Sequence, residues 1–267
     1  MKAKTFLFLW SIAATMTMVL TIPVVSQTTV IVTPPVNSQG WSTADTNAGG
    51  SVSFVTDATA PGGGVGALQL TTDATIAAKA QYLHGANTPL SDVTELSYYT
   101  KQVSSPFAGG DPAYQLITFL NGGTSGFSTL VFEPYQNPLE GPVVPANWQS
   151  WDVDSGLFWS THTITCSNGT IVGTPGGPAN YTLSAIQTAC PNAVVVGFGV
   201  NIGSNNPAYD VYADLVDFNG TTYDFEPYLV AHNMDQCKKG GWMNYKRADG
   251  SGFKNQGDCI QYVNTGK

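Results

Sequence analysis

Two copies of one short motif carry the carboxylates best suited to chemistry. The sequence Phe-Glu-Pro-Tyr occurs at 132–135 and again at 225–228, each time after a run of strand-forming residues. Two carboxyl groups that face each other across a cleft are the machinery of a glycosidase, about 5–5.5 Å apart in the retaining case. The repeat therefore makes Glu133 and Glu226 candidate catalytic residues. Because a proline follows each glutamate, the motif also suits the plain end of a strand.

Aromatic side chains supply a second candidate site, one that binds sugar without reacting. Trp148 and Trp151 stand three residues apart beside Asp152, and Tyr135 belongs to the first glutamate motif. Aromatic rings stack on the apolar C–H faces of sugars, while carboxylates accept hydrogen bonds from hydroxyl groups. We therefore expect these four residues to border a ligand groove. A place in the core is the alternative for each tryptophan.

The four cysteines, Cys166, Cys190, Cys237 and Cys259, are candidates for disulfide bonds. Four cysteines allow three connectivities, of which local pairing, 166 with 190 and 237 with 259, is the simplest. The sequence has no Cys-x-x-Cys, and its three histidines are far apart, so the cysteines do not indicate a metal site.

Charge divides the chain into unlike parts. Charged residues make up only 10% of the chain, against about 25% in an average soluble domain. Residues 5–226 hold two basic and fifteen acidic side chains, a net charge of −13, whereas residues 227–267 hold six basic and three acidic ones, a net +3. This composition excludes a coiled coil, and the acidic body would repel nucleic acid. The shift predicts a domain boundary near Glu226.

The first residues have the form of a secretory signal peptide. A basic start is followed by an uncharged apolar run over 5–20 and by small or branched residues before Gln27. We predict a signal peptide at 1–26, hence a secreted or cell-envelope protein in a compartment that permits disulfides. No later segment reaches the roughly 20 apolar residues of a membrane span.

The body is predicted to be all β. Short runs rich in Val, Leu, Tyr, Phe and Thr alternate with Gly-, Pro- and Asn-rich turns, and Asn219-Gly220 is a hairpin signal. The predicted strands are 51–54, 67–71, 77–83, 94–101, 114–120, 128–133, 158–165, 193–201, 209–218 and 222–225. One short helix is predicted at 182–189. Strands that do not alternate with helices predict a β-sandwich.

Two resemblances add to this interpretation. The segments 90–98, 129–134 and 148–152, in this order, resemble jelly-roll domains of exported bacterial proteins, which are similar to concanavalin-like and carbohydrate-binding-module folds. The resemblance implies an antiparallel jelly-roll sandwich that binds carbohydrate. The segments 235–242 and 253–259 resemble a short two-cysteine motif that recurs at the C-termini of exported bacterial proteins and has no established activity.

The jelly-roll resemblance also implies a structural calcium ion. Asp210, Asp214, Asp217 and Asp224 cluster in one predicted hairpin and offer oxygen ligands. Their spacing lacks an Asp-x-Asp-x-Asp pattern, so hydrated carboxylates on strands are the favoured interpretation. No other cofactor is indicated.

These observations predict three segments: a signal peptide at 1–26, a β-sandwich at 27–226 and a basic, disulfide-stapled tail at 227–267. The favoured function is a secreted, non-catalytic sandwich that binds glycan or a cell-envelope polysaccharide. A glycoside hydrolase using Glu133 and Glu226 is one alternative. A purely structural surface module is the other.

Overall fold

The computed structural model describes residues 27–267, so the predicted signal peptide lies outside the described residues. The strands are β1 Thr28–Val32, β2 Trp41–Ser42, β3 Gly50–Thr56, β4 Gly66–Thr72, β5 Ala80–Pro89, β6 Leu96–Ser104, β7 Ala113–Phe119, β8 Phe127–Phe132, β9 Gln149–Asp152, β10 Leu157–Ser160, β11 Ile164–Thr165, β12 Ile171–Val172, β13 Tyr181–Thr182, β14 Val194–Ile202, β15 Asp210–Phe218 and β16 Thr221–Phe225. The helices are α1 Leu183–Ala189, α2 Met234–Cys237 and α3 Gln256–Thr265.

Two seven-stranded sheets form a sandwich, as predicted. In the first sheet β15 is central, with β6 and β9 on one side and, on the other, β4 with β3 and β16 with β1. The second sheet has the order β13-β10-β8-β7-β14-β5-β2. The chain crosses between the sheets from β5 to β6, to β7 and β8, to β9, and to β10, which is the connectivity of a jelly roll. Neighbouring strands are antiparallel, apart from β1, which runs parallel to β16.

The core between the sheets is rich in aromatic rings. Trp41 stacks on Tyr82 with ring centroids 5.2 Å apart and meets the edge of Phe225 at 4.9 Å. Further along, Tyr98 of the first sheet meets Tyr114 of the second at 5.5 Å, and both are fully buried. Because side chains alternate along a strand, the inward positions fill this core and the intervening positions form two outer faces.

Local signals place several elements as predicted. Phe218 pairs with Thr221 around Asn219-Gly220, and both turn residues have positive φ, as this two-residue hairpin requires. Thr182 caps α1 by accepting a hydrogen bond from the Ala185 amide. The strand predicted at 158–165 is instead divided into β10 and β11. The reason is local: the chain between them is held by side-chain bonds such as that from Ser160 Oγ to the His162 carbonyl.

Both disulfides join the cysteines paired locally in the prediction. Cys166 is bonded to Cys190 beside α1, and Cys237 is bonded to Cys259 between α2 and α3. Within residues 27–267 no helix is long and apolar enough to cross a membrane.

The C-terminal segment has a small hydrophobic cluster of its own. The second disulfide lies in it with Phe253, and the partly buried Trp242 and Tyr262 pack around it. Arg247 lies over the Phe253 ring, 4.7 Å from its centroid, and forms an ion pair of 2.7 Å with Asp258. The tail is thus stapled by a disulfide, as predicted, and its arginine adds a contact to both a ring and a carboxylate.

Candidate ligand-binding cleft

An open cleft of about 760 Å³ lies on the outer face of the second sheet. The floor of the cleft consists of residues that the strand register aligns in rows across the sheet. One row runs from Trp159 through Val131, Gln115 and Gly199 to Leu83, on five adjacent strands. Trp159, Val131, Gln115 and Leu83 of this row line the cleft. The volume falls in the range of about 300–1,000 Å³ that is typical of ligand sites.

Aromatic rings form one side of the cleft. Trp159 lies on β10, and Tyr135 follows β8, where it meets Phe107 edge-on at 5.0 Å. Tyr135, Phe107 and Phe127 are each close to half exposed, at 46%, 47% and 48%. These partly exposed rings are accessible to a ligand in the cleft.

Amide side chains form a second part of the lining. Asn201, Asn205 and Asn206 come from β14 and the loop that follows it, and Gln81 and Gln115 come from the floor. A primary amide carries both donor hydrogens and an acceptor oxygen. Gln81, Gln115 and Asn201 are buried beneath the cleft surface, and Gln81 already donates to the Ala44 carbonyl. The cleft therefore presents rings on one side and amides across the floor and opposite wall.

Three acidic side chains line the cleft: Asp45 is exposed, whereas Glu133 and Asp111 lie in more buried settings that differ from each other. Glu133 Oε2 accepts a hydrogen bond of 2.8 Å from Trp159 Nε1 and another from Gln136. Burial raises the pKa of Glu133, and these two hydrogen bonds oppose the rise. Asp111 is turned inward: its Oδ2 accepts from the buried Thr100 hydroxyl, and its Oδ1 is buried without a partner. Burial raises the pKa of Asp111 to about 7.

The four predicted ligand residues are not brought together. Tyr135 lines the cleft, but Trp148, just before β9, and Asp152, its last residue, lie on the outer face of the first sheet. Trp151 is fully buried and donates its indole hydrogen to Thr100 at 2.6 Å. The prediction that Trp148 and Trp151 border the same groove is therefore wrong. Residues three apart on a strand point to opposite faces, so Trp148 and Trp151 cannot share one.

The predicted catalytic pair is also divided. Glu133 lines the cleft, whereas Glu226 follows β16, which lies between β15 and β1 in the first sheet. Glu226 Oε1 accepts a hydrogen bond from the Val65 amide at 2.9 Å, and Glu226 lies beside Asp224. The two copies of Phe-Glu-Pro-Tyr thus end strands in different sheets and do not face a common cleft.

The aspartates of the β15–β16 hairpin are not the hydrated carboxylates that the sequence favoured. Asp214, Asp217 and Asp224 are buried, and Asp210 is half-buried. Asp217 accepts from the Gly220 amide and Thr222 hydroxyl, which closes the turn. Burial raises the pKa of Asp214 and of Asp224. Among residues 27–267, no group of three or more His, Cys, Asp or Glu side chains is arranged to hold a metal ion.

Sequence reasoning did not single out Trp159, Gln115 or Asn201 as site residues. Trp159 lies between Phe158 and Ser160, which are both buried on β10, so strand alternation turns it outward, but the run of Leu, Phe and Trp in the sequence does not show which face is buried. The two amides carry no signal in the sequence either, because only the pairing of β7 with β14 reveals that they share a floor.

No family model and no curated protein matches this chain. Among solved structures, it is similar to a family 11 carbohydrate-binding module from Clostridium thermocellum in complex with a β-1,3-1,4-mixed-linked tetrasaccharide. The TM-score is 0.38 and the identity 12%, over 68% of this chain and 89% of that one. The family 11 module of the cellulosomal cellulase Lic26A-Cel5E from the same organism gives 0.38 and 12%, over 70% and 89%.

A third solved structure comes from C. thermocellum endo-1,4-β-D-xylanase 10B, comprising its family 22 carbohydrate-binding and family 10 hydrolase modules with xylohexaose. It has a TM-score of 0.37 and 14% identity, over 72% of this chain and 28% of that one. Because these TM-scores and identities are low, the function of this chain has to be argued from the geometry of its own cleft alone.

Proposed function

We propose that this protein is a secreted, non-catalytic β-sandwich that binds a neutral glycan in the cleft of the second sheet. One observation carries the proposal: a single concavity combines Trp159 and three rings close to half exposed with an amide-rich floor and wall. A sugar chain has apolar C–H faces for rings and hydroxyl groups for amides, so both parts of the lining have a use.

Charge favours a neutral glycan over an acidic one. Asp45, Asp111 and Glu133 line the cleft, and Lys79 is the lysine among its lining residues. The surrounding body has a net charge of −13 over residues 5–226. A polymer of uronic acids would bring further carboxylates into this field, at a Coulombic cost.

The arrangement of acids supports binding rather than hydrolysis. Glycosidic cleavage by the usual mechanism requires two carboxyl groups that reach the same bond. Of the three acids that line the cleft, Asp111 directs its carboxyl into the interior. Asp45 lies beside β5, next to the Thr46 that is bonded to Gln81. Because β5 lies three strands away from β8, Asp45 is too distant to pair with Glu133. The proposal therefore assigns the protein no catalytic pair.

Export is proposed on the cysteines and the sequence. Both disulfides are formed, and no free cysteine occurs within residues 27–267. Such bonds persist in oxidising compartments, which agrees with the signal peptide predicted at 1–26.

A panel of soluble oligosaccharides tests the function. The mature chain is titrated calorimetrically with neutral oligosaccharides, including xylohexaose and a β-1,3-1,4-linked glucan tetrasaccharide, and with oligogalacturonate. We expect a neutral member to bind and the uronate to bind at least about tenfold more weakly. Trp159→Ala should weaken binding at least about tenfold, or about 1.4 kcal/mol.

Trp148→Ala is the matched control, because it removes the same side chain from the first sheet's outer face. An equal loss in both tryptophan variants would contradict the cleft as the binding site. Failure of every glycan to bind would favour the alternative of a structural surface module.

A further inference from the structure

Glu133 makes two kinds of contact at the aromatic side of the cleft. Its Oε2 accepts from the Trp159 indole at 2.8 Å and from the Gln136 amide. Its Oε1 is not among the buried atoms without a partner, and a hydrogen bond with the Tyr135 phenol also opposes the rise that burial causes in the pKa of Glu133. One oxygen is thus committed to the tryptophan ring.

The side chain of Gln136 stabilises this contact through further hydrogen bonds. Gln136 donates to Glu133 and also to the Tyr135 hydroxyl at 3.1 Å, while its own Oε1 accepts from the Ala179 amide at 2.6 Å. The segment at Gly177 packs closely on it, because a Cβ there would lie 2.9 Å from the Gln136 amide atoms. The glutamate is therefore tied both to its own turn and to the 177–179 loop.

The indole contact fixes the orientation of the ring. Without a partner, a partly buried Trp159 would rotate about its side-chain torsions to find one for its N–H group. A ring already held in its binding orientation loses less conformational freedom when a ligand stacks on it. Glu133 supplies that partner from the neighbouring strand end.

We infer that Glu133 is a positioning residue, which holds the Trp159 ring as a preorganised stacking surface for the ligand. The inference rests on the proposed function, since it concerns how the same cleft recognises glycan.

The contact is titratable. Burial raises the pKa of Glu133, and the nearby titratable groups are the phenols of Tyr98, Tyr135 and Tyr209, with Asp111 beyond Tyr98. Within the described residues, no lysine or arginine forms an ion pair with Glu133. A protonated carboxyl is a weaker acceptor, so acid should loosen the indole contact.

The protein contains its own control for this titration. Trp148 Nε1 donates to Asp57 at 3.3 Å, and Lys101 and Thr59 hold the pKa of Asp57 down to about 2 against the effect of burial. In one nitrogen–proton spectrum of the full mature chain, the Trp159 indole signal should therefore move with the protonation of Glu133. The Trp148 signal should stay in place until the pH approaches about 2.

The variants separate the positioning role from a merely structural one. Glu133→Gln keeps an acceptor oxygen but is neutral and cannot titrate, so the Trp159 signal should lie near that of the protonated wild type and become independent of pH. Its affinity for the best neutral oligosaccharide of the panel should stay within about threefold. Glu133→Ala should shift the signal and weaken binding at least about tenfold.

The outcomes are distinguishable. If the wild type binds and Glu133→Ala binds equally well, the inference is overturned while the proposed function stands. If the wild type binds nothing, the proposed function fails, and the indole signal alone then tests the positioning role of Glu133. A Trp159 signal unchanged in Glu133→Ala and unaffected by pH would then overturn the positioning role as well.

Discussion

Asp111 shows how the fold sets the charge of a single residue. Its Oδ2 accepts from Thr100, whose hydroxyl oxygen in turn accepts from the buried Trp151 indole at 2.6 Å. Its Oδ1 has no partner, and no cation pairs with it within the described residues. Burial therefore raises the pKa of Asp111 from 3.8 to about 7, so the carboxyl keeps its proton well above the pH at which it ionises in the unfolded chain.

This shift predicts a loss of stability as the pH rises. The folded state binds a proton that the unfolded state has released, so the free energy of unfolding should fall between about pH 4 and pH 7. The contribution of Asp111 is at most about 4 kcal/mol, from a shift of about three pKa units. Asp111→Asn retains an acceptor for Thr100 and should lose less stability from pH 5 to pH 8. Urea unfolding at both pH values measures the difference, and equal losses in the two proteins would refute the assignment.

The alternation of side chains along a strand decides which tryptophans are exposed to solvent. Trp148 and Trp151 lie on opposite faces of one sheet because three is an odd separation, and this could be deduced from the sequence once a strand is assigned there. The same rule turns Trp159 outward once Phe158 is known to be buried. The missing information was the strand assignment at 149–152, which the predicted set of strands omitted.

At the scale of secondary-structure elements, features set by neighbouring residues were predicted better than the pairing of strands was. The Asn219-Gly220 turn and the helix predicted at 182–189 depend on a few neighbouring residues. The turn appears as predicted, and the helix begins one residue later, at Leu183, with Thr182 as its cap. The sheet to which a strand belongs depends on distant partners. Glu133 and Glu226 share the same flanking residues, yet β8 pairs with β7 and β10 while β16 pairs with β15 and β1. No local pattern distinguishes them.

Close approach between elements explains one glycine. A Cβ at Gly50 would lie 2.0 Å from the carbonyl oxygen of Lys79, immediately before β5. Gly50→Ala should therefore destabilise the protein by about 1–3 kcal/mol, because the obstacle is backbone and cannot rotate away. Differential scanning calorimetry should show a melting temperature several degrees lower.

Gly85→Ala is the control for this change, since a Cβ at Gly85 meets nothing within 4 Å and its φ is not positive. If the Gly50→Ala protein had the same melting temperature as the Gly85→Ala protein, β3 and β5 would be able to separate at little cost in free energy.

At the scale of the whole molecule, the disulfides divide the work of stabilisation. The tail cluster contains few fully buried side chains, so Cys237–Cys259 should matter more there than Cys166–Cys190 does in the large body core. The tail disulfide spans a sequence separation of 22 and should stabilise by about 3 kcal/mol from loop-closure entropy.

Limited trypsin digestion tests this division, because the tail holds six of the ten basic residues. Replacing both tail cysteines by alanine should speed cleavage after Lys246 and Arg247 while the sandwich persists as a resistant fragment. Replacing Cys166 and Cys190 should leave the tail sites protected. Equal cleavage of the tail in the two double variants would show that the tail is held by the body rather than by its own disulfide.

The molecule as a whole has two outer sheet faces with aromatic residues, and the central claim is that glycan binds one of them. The most direct measurement follows the indole signals of Trp159 and Trp148 in one nitrogen–proton spectrum while a neutral oligosaccharide from the panel is added. We predict a saturable shift of the Trp159 signal and an unchanged Trp148 signal. A shift confined to Trp148, or binding that moves neither signal, would contradict the cleft as the glycan site.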